Sequence, residues 1–398
     1  MFVILFRIFI WKNQNERGEL KDMLIYLFCF FISCFLIWLG ENNKKYFIIS
    51  KIIFLLALII PAVLAGLRDF SIGVDVLTYG NHFFYDVVSS PNLNTISPIW
   101  DGWIEPGYKW LTFIVTKFTD DVHWFYFLIM LLQNIFVFLG FYIYKDKLPI
   151  WLGMWCYYCI FFNNSLNMIR QNFAMSILFF ASFYLLNKSY IKYTIWILIT
   201  LLFHKAVLSA FLLIPIHIYI SKYESDRVKF IFTTGMVIFC LTSEIALNFI
   251  SGIIRIDYLE RAIFYLFFMK QANSLKMAIG FIAAFLPPFV LFYWKRRKLY
   301  DIGKENHFFF VVAIICLVST QFMWIFGEYA GRIVAIFQWI LLLALPMTTI
   351  IYKYLPGKQF LLKTSIACYA VYYWFFVLVY RNTDETFPYT SSFLESIF

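Results

Sequence analysis

Three arginines, three potential proton acceptors and a set of aromatic hydroxyls interrupt a chain that is otherwise strongly apolar. The arginines are Arg68, Arg170 and Arg332. A guanidinium is a planar fork of donors that matches phosphate oxygens. Asp75, Glu105 and His204 are residue types that can take the proton of an attacking hydroxyl. Tyr79, Tyr108 and Gln171 suit the orientation of a sugar or a phosphate. These types fit group transfer from a diphosphate-activated donor, in which the substrate itself carries the energy. Glu105 is expected as the base, with Asp75 and His204 as rivals.

Each group also has a blander reading. The aromatics around Glu105 (Trp100, Trp103, Tyr108, Trp110) form either an interfacial belt or stacking surfaces for the apolar face of a sugar ring. In Asn163-Asn164-Ser-Leu-Asn167-Met-Ile-Arg170-Gln171-Asn172, a capped turn explains two of the amides. It leaves Arg170 without an acidic neighbour in sequence. His204 reads either as an interhelical hydrogen-bonding residue or as a proton carrier or phosphate contact. Glu328 and Arg332 could form a surface ion pair, and the end from Arg381 to Tyr389 reads by default as a solvated tail. Cys156 and Cys159 have the spacing of a metal or redox pair. With no second pair and no adjacent histidine, they read as packing residues. The chain carries no P-loop, no His-Glu-x-x-His helix and no Gly-x-Ser-x-Gly elbow, so no metal and no cofactor is expected.

The elements that must position these residues follow from composition. Of 398 residues 62% are hydrophobic and 14% charged, against about 45–50% and about 25% in ordinary globular domains. A soluble fold could not hide that much apolar surface, so lipid must act as the solvent. The apolar runs are continuous over about 20 residues rather than alternating. The fold class is therefore an all-α, polytopic transmembrane helix bundle.

About 12 spans are expected, near 23–40, 47–66, 123–144, 148–163, 171–187, 193–203, 205–220, 228–250, 274–294, 307–326, 332–352 and 361–380. The two on either side of His204 are short. They form either one bent helix or a pair meeting inside the bundle.

Connections alternate in charge. Lys44, Lys45 and Lys51, Lys145 and Lys147, Lys188 and Lys192, Lys222, Arg227 and Lys229, the run Lys295-Arg296-Arg297-Lys298 with Lys304, and Lys353, Lys358 and Lys363 fall on one side. The positive-inside rule puts that side in the cytoplasm. The loop 67–122, the turns 163–171 and 327–331, the loop 251–273 and the tail then face outward. The net charge of +10 thus orients helices, and no nucleic acid partner is expected.

Within the long outward loop, Pro106 and Gly107 can start an amphipathic stretch, Tyr108–Phe118, lying along the membrane surface. Residues 1–22 read either as an interfacial segment or as sequence ahead of a true start at Met23. Residues 23–398 read as one transmembrane domain.

At these positions the chain resembles the EpsG/Wzy group of polysaccharide polymerases. The matching pieces are Arg68, Gly73-x-Asp75-x-x-x-Tyr79, Phe84, Glu105-Pro106-Gly107-Tyr108 and Asn167-x-x-Arg170-Gln171-x-x-Ala174. Phe203-His204-Lys205-Ala206, Gly331-Arg332-Ile333 and Pro388-Tyr389 follow in the same order. Together they cover about residues 47–390.

The resemblance implies a glycosyltransferase in a bacterial cytoplasmic membrane with its active face periplasmic or extracellular. Undecaprenyl-diphosphate-linked glycans would be donor and acceptor, and the product an O-antigen, capsule or exopolysaccharide. A chain-length regulator is implied as a partner by the resemblance alone. The competing readings are a glycan ligase or acyltransferase acting on lipid-linked glycans, and a flippase or transporter. Transporters place charge near mid-membrane in repeat-related broken helices. The charges of this chain gather at one face instead.

Overall fold

Backbone groups surrounded by apolar side chains must find partners within their own segment, and the long apolar runs accordingly fold as helices. The computed structural model describes residues 16–43, 46–223, 274–326, 328–382 and 384–395, with a few positions between 225 and 235. Among these, every regular element is helical. Residues 1–15, most of the expected span 228–250 and the expected loop 251–273 lie outside the described residues.

In order, the helices are α1 (Glu16–Asn42), α2 (Phe47–Leu67), α3 (Asn81–Ser89), α4 (Pro106–Val115), α5 (Val122–Tyr142), α6 (Ile150–Tyr157), α7 (Asn163–Asn167) and α8 (Ile169–Leu186). They continue with α9 (Tyr190–Leu201), α10 (Leu213–Lys222), α11 (Ser274–Ile302), α12 (Glu305–Phe326), α13 (Glu328–Met347), α14 (Pro356–Tyr373) and α15 (Ser392–Glu395).

Seven stretches among the described residues are long and apolar enough to cross a membrane. They lie in α1, α2, α5, α8, the segment Lys205–Lys222, the segment Val334–Tyr352 and the segment Pro356–Tyr380. α9 and the stretch Glu305–Val318 of α12 are apolar but shorter. The chain is therefore a multi-pass, all-helical membrane protein. The two segments flanking His204 are separate: α9 ends at Leu201, and a 3-10 helix, Lys205–Leu212, leads into α10. They fold back on each other, with Tyr190 Oη 3.1 Å from His217 Nδ1.

The connections after α1, α5 and α11 meet at one end of the described helices. Lys147 pairs with Glu305 at 2.8 Å, and the Glu41 carboxylate accepts from the backbone N–H groups of Ile150 and Trp151. Between the ends, polar side chains on the spans bond across helices rather than to lipid. Gln133 donates to Tyr157 and Ser165, Asn134 donates to the Leu58 carbonyl, and Ser33 lies 3.0 Å from the Tyr158 hydroxyl. Cys156 and Cys159 are free thiols buried in this core.

The opposite end is closed by the tail, which is not solvated. Asp384, Thr386, Tyr389 and Ser391 are buried. Asn164 donates to Asp384 at 2.8 Å and Asn163 to Thr386 at 3.0 Å. Tyr389 donates to the Leu64 carbonyl, Ser391 to the Leu67 carbonyl, and Ser392 to the Asp69 carboxylate. The tail thus laces the end of α2 to the turn between α6 and α8. A reading by composition missed this because short polar residues beyond a last span look the same whether solvated or docked.

Candidate active site

Four elements bring polar groups together at the tail-covered end. The first is the segment after α2. Gly73 has φ +88° and donates its N–H to the Glu385 carbonyl. A Cβ there would stand 2.7 Å from the Leu166 carbonyl oxygen, so only glycine admits this approach. The closeness lets the Asp75 N–H reach the Asn167 side-chain oxygen at 3.2 Å. A π-helical turn, Val76–Gly80, then sets Tyr79 so that its hydroxyl donates to Asp75 Oδ2 at 2.9 Å.

The second element is α4. Pro106 opens it with a pre-set φ and no orphan N–H. Glu105 is the extended residue ahead of it, and its carboxylate does not cap its own helix. It reaches across instead, accepting from Arg170 Nη1 at 2.5 Å and from the Lys205 N–H at 3.3 Å. Gly107 makes this docking possible: its N–H donates to the Leu202 carbonyl at 2.7 Å, and an added Cβ would lie 2.8 Å from that oxygen. Gly107→Ala must therefore push α4 away from the end of α9. Gly107→Ala is expected to lower the melting temperature of the detergent-solubilised protein; an unchanged melting temperature would show that the contact is dispensable.

The third element is the start of α8. A π-helical turn, Tyr158–Phe162, and a break at Met168 (ψ 65°) separate α8 from α6, an irregularity of a kind that often accompanies function. Arg170 there donates to the Trp103 carbonyl at 2.7 Å as well as to Glu105, and its Nε donates to the Tyr79 hydroxyl at 3.2 Å. The Arg170–Glu105 pair is largely buried, with side-chain exposures of 13% and 6%. The four nearby amides are structural: Asn163, Asn164, Asn167 and Asn172 bond the tail, Asp75 and one another.

The fourth element is the 3-10 helix Lys205–Leu212. His204 caps it, its Nδ1 accepting the Ala206 N–H at 3.2 Å. Burial, with the charges of Arg170, Arg332 and Lys205, pushes its pKa down to about 3. Arg332, at the start of α13, also acts on Asp75. Burial raises the Asp75 carboxyl above the usual carboxylate range, against the Tyr79 hydrogen bond and the two arginine charges, which favour ionisation.

Arg170, Arg332, Asp75, Tyr79, Glu105 and His204 therefore share one neighbourhood, while Arg68 stands apart. Its guanidinium packs 4.8 Å from the Tyr126 ring centre, and the residue is 2% exposed. Its Nε and Nη1, the Tyr108 hydroxyl and the Gln171 side-chain oxygen are buried without a hydrogen-bond partner among the described residues. Such groups are costly unless something satisfies them, and all three residues are among those expected at the site. Tyr108 links the two regions, since the Arg170 guanidinium lies 6.0 Å from its ring centre. Tyr126 was not legible as a site neighbour, because one tyrosine inside an apolar span has no distinguishing spacing.

The chemistry this permits is specific. Both Glu105 oxygens are engaged by Arg170 and Lys205, whereas Asp75 Oδ1 makes no hydrogen bond among the described residues and so keeps a free lone pair. A family model described as the EpsG family matches residues 51–391. No curated protein and no solved structure matches the chain.

Proposed function

The chain belongs to the EpsG family, a Wzy-like family of polysaccharide polymerases, and we propose that it joins lipid-linked oligosaccharide repeat units at the outer face of a bacterial cytoplasmic membrane. The observation that carries this reading is a cationic, donor-rich cluster around a single carboxylate with a free oxygen. Arg170 and Arg332 both set positive charge against Asp75, and Arg170 is held by Glu105, Trp103 and Tyr79.

In the proposed reaction a hydroxyl of the acceptor sugar attacks the anomeric carbon of the donor glycan. Its proton passes to Asp75, and the new glycosidic C–O bond forms. The bond from the anomeric carbon to the diphosphate oxygen breaks, and its electron pair leaves with undecaprenyl diphosphate. Arg170 and Arg332 neutralise that departing charge through oriented, charge-assisted hydrogen bonds. Glu105 is assigned to positioning Arg170, and Arg68 with Tyr108 to a deeper polar contact with the substrate. The Lys-rich end is assigned to the cytoplasm by the positive-inside rule.

Product analysis tests this. Purified protein given an undecaprenyl-diphosphate-linked repeat unit is expected to produce a ladder spaced by one unit. A single transferred product would mark a ligase, an acylated unit an acyltransferase, and an unaltered, translocated unit a flippase; each would replace the polymerase reading.

A further inference from the structure

We propose that His204 acts on the substrate as a neutral hydrogen-bond donor through Nε2, gripping an oxygen of the leaving diphosphate, and does not accept the acceptor's proton. This rests on the polymerase reading and assigns within it a role that residue type leaves open, since histidine serves equally as base, acid or donor.

The argument starts from backbone geometry. His204 is extended (φ −163°, ψ 133°) and stands immediately ahead of a 3-10 helix whose first N–H groups lack intrahelical partners. Its Nδ1 accepts one of them, from Ala206, at 3.2 Å. A ring nitrogen that accepts cannot carry the proton, so in the neutral imidazole the hydrogen is on Nε2. Nε2 has no hydrogen bond to a described residue, and it is not among the polar atoms sealed from solvent without a partner.

The surroundings hold the ring neutral. Arg170 from α8, Arg332 from α13 and its own neighbour Lys205 all set positive charge against it. Of the nearby carboxylates, Glu105 is held by Arg170 and the Lys205 N–H, and Asp75 accepts from Tyr79 through Oδ2 and makes no hydrogen bond to the ring. A ring so placed is a poor proton acceptor and a fixed donor. It adds a third donor beside two guanidiniums, where negative charge develops as the C–O bond breaks and the electron pair moves to the diphosphate. His204 keeps its proton throughout, and the acceptor's proton goes to Asp75.

Two substitutions separate this role from simple capping. His204→Asn places an amide oxygen where Nδ1 sits, preserving a favoured cap, but removes the distal donor. His204→Gln places an amide N–H near the Nε2 position at the expense of the cap. His204→Asn is expected to keep the wild-type melting temperature in detergent and lose on the order of 100-fold in polymerisation rate, as for one oriented donor. His204→Gln is expected to run at least tenfold faster than His204→Asn, with the loss appearing in kcat rather than KM. A His204→Gln rate at or below that of His204→Asn overturns the proposal.

The tautomer is read separately from 15N spectra of histidine-labelled protein, with the His204→Asn spectrum subtracted. The expected signals are an unprotonated Nδ1 and a protonated Nε2, unchanged between pH 5.5 and 8; an Nδ1–H form, or titration within that window, also overturns it. This measurement needs no substrate. A wild-type protein that makes no ladder would remove the polymerase reading and leave the tautomer result standing.

Discussion

Arg170→Ala is expected to lower polymerisation on the order of 10²–10³-fold, the cost of removing one oriented donor from a developing negative charge. Arg170 bonds Glu105, Trp103 and Tyr79 at once, so its loss releases α4 and the Asp75 segment together. It also leaves Glu105 buried without its partner, which costs about 3–5 kcal/mol when one member of a buried pair is removed. The single variant can therefore fail by unfolding. Combining Arg170→Ala with Glu105→Gln removes the stranded charge and is expected to recover most of the melting temperature without recovering glycan length. Arg170→Lys keeps the charge but loses the fork, and is expected to fall between wild type and alanine. A double variant that makes wild-type ladders would remove Arg170 from the chemistry.

Asp75→Asn is expected to lower the rate by about 10²–10⁴-fold, the usual contribution of a positioned base, while the protein accumulates and melts no earlier than wild type. The stability expectation follows from sign. Burial raises the Asp75 pKa, so the ionised form is the one the fold penalises, and a neutral isostere relieves that penalty at neutral pH. The same shift fixes the pH dependence of the wild type. Activity is present above the raised Asp75 value and is lost as pH falls through it, at a higher pH than an ordinary carboxylate would show. Asp75→Asn should abolish that acidic limb along with most of the rate. Glu105→Gln, by contrast, should weaken the hold on Arg170 but leave the limb in place. If Glu105→Gln removes the limb and Asp75→Asn does not, the base assignment reverses.

How far a residue's role is legible in the sequence depends on where its partners lie. The helical bundle was legible because lipid leaves so few solutions for the backbone. The number of spans was less so: a stretch such as Tyr190–Leu201 is apolar enough for a core helix, and hydropathy does not separate a short buried helix from a crossing one. Arg170 stood out in sequence because no local acid matched it, and its partner Glu105 proved to be 65 residues away. Glu105 stood out for the opposite reason, a carboxylate beside Pro-Gly, but residue type does not reveal that both its oxygens are taken. Asp75 gained weight only once its free oxygen was visible. The separation of Arg68 from the other two arginines is likewise a property of the intervening Tyr108 and Tyr126 rings, which no spacing announces.

The docked tail has a consequence for how the protein is made. Tyr389 seals the end of α2 through the Leu64 carbonyl, a contact between residues 325 positions apart. At bacterial elongation rates of about 5–20 residues per second, the Arg68 corner would wait about 15–60 s for the segment that covers it. During most of that interval the Tyr126 ring on which Arg68 packs is already synthesised, while the tail is not. Insertion of the early spans and docking of the tail are thus separate events in time. A ribosome halted after the Pro356–Tyr380 helix would leave the end of α2 without its bonds from Tyr389, Ser391 and Ser392.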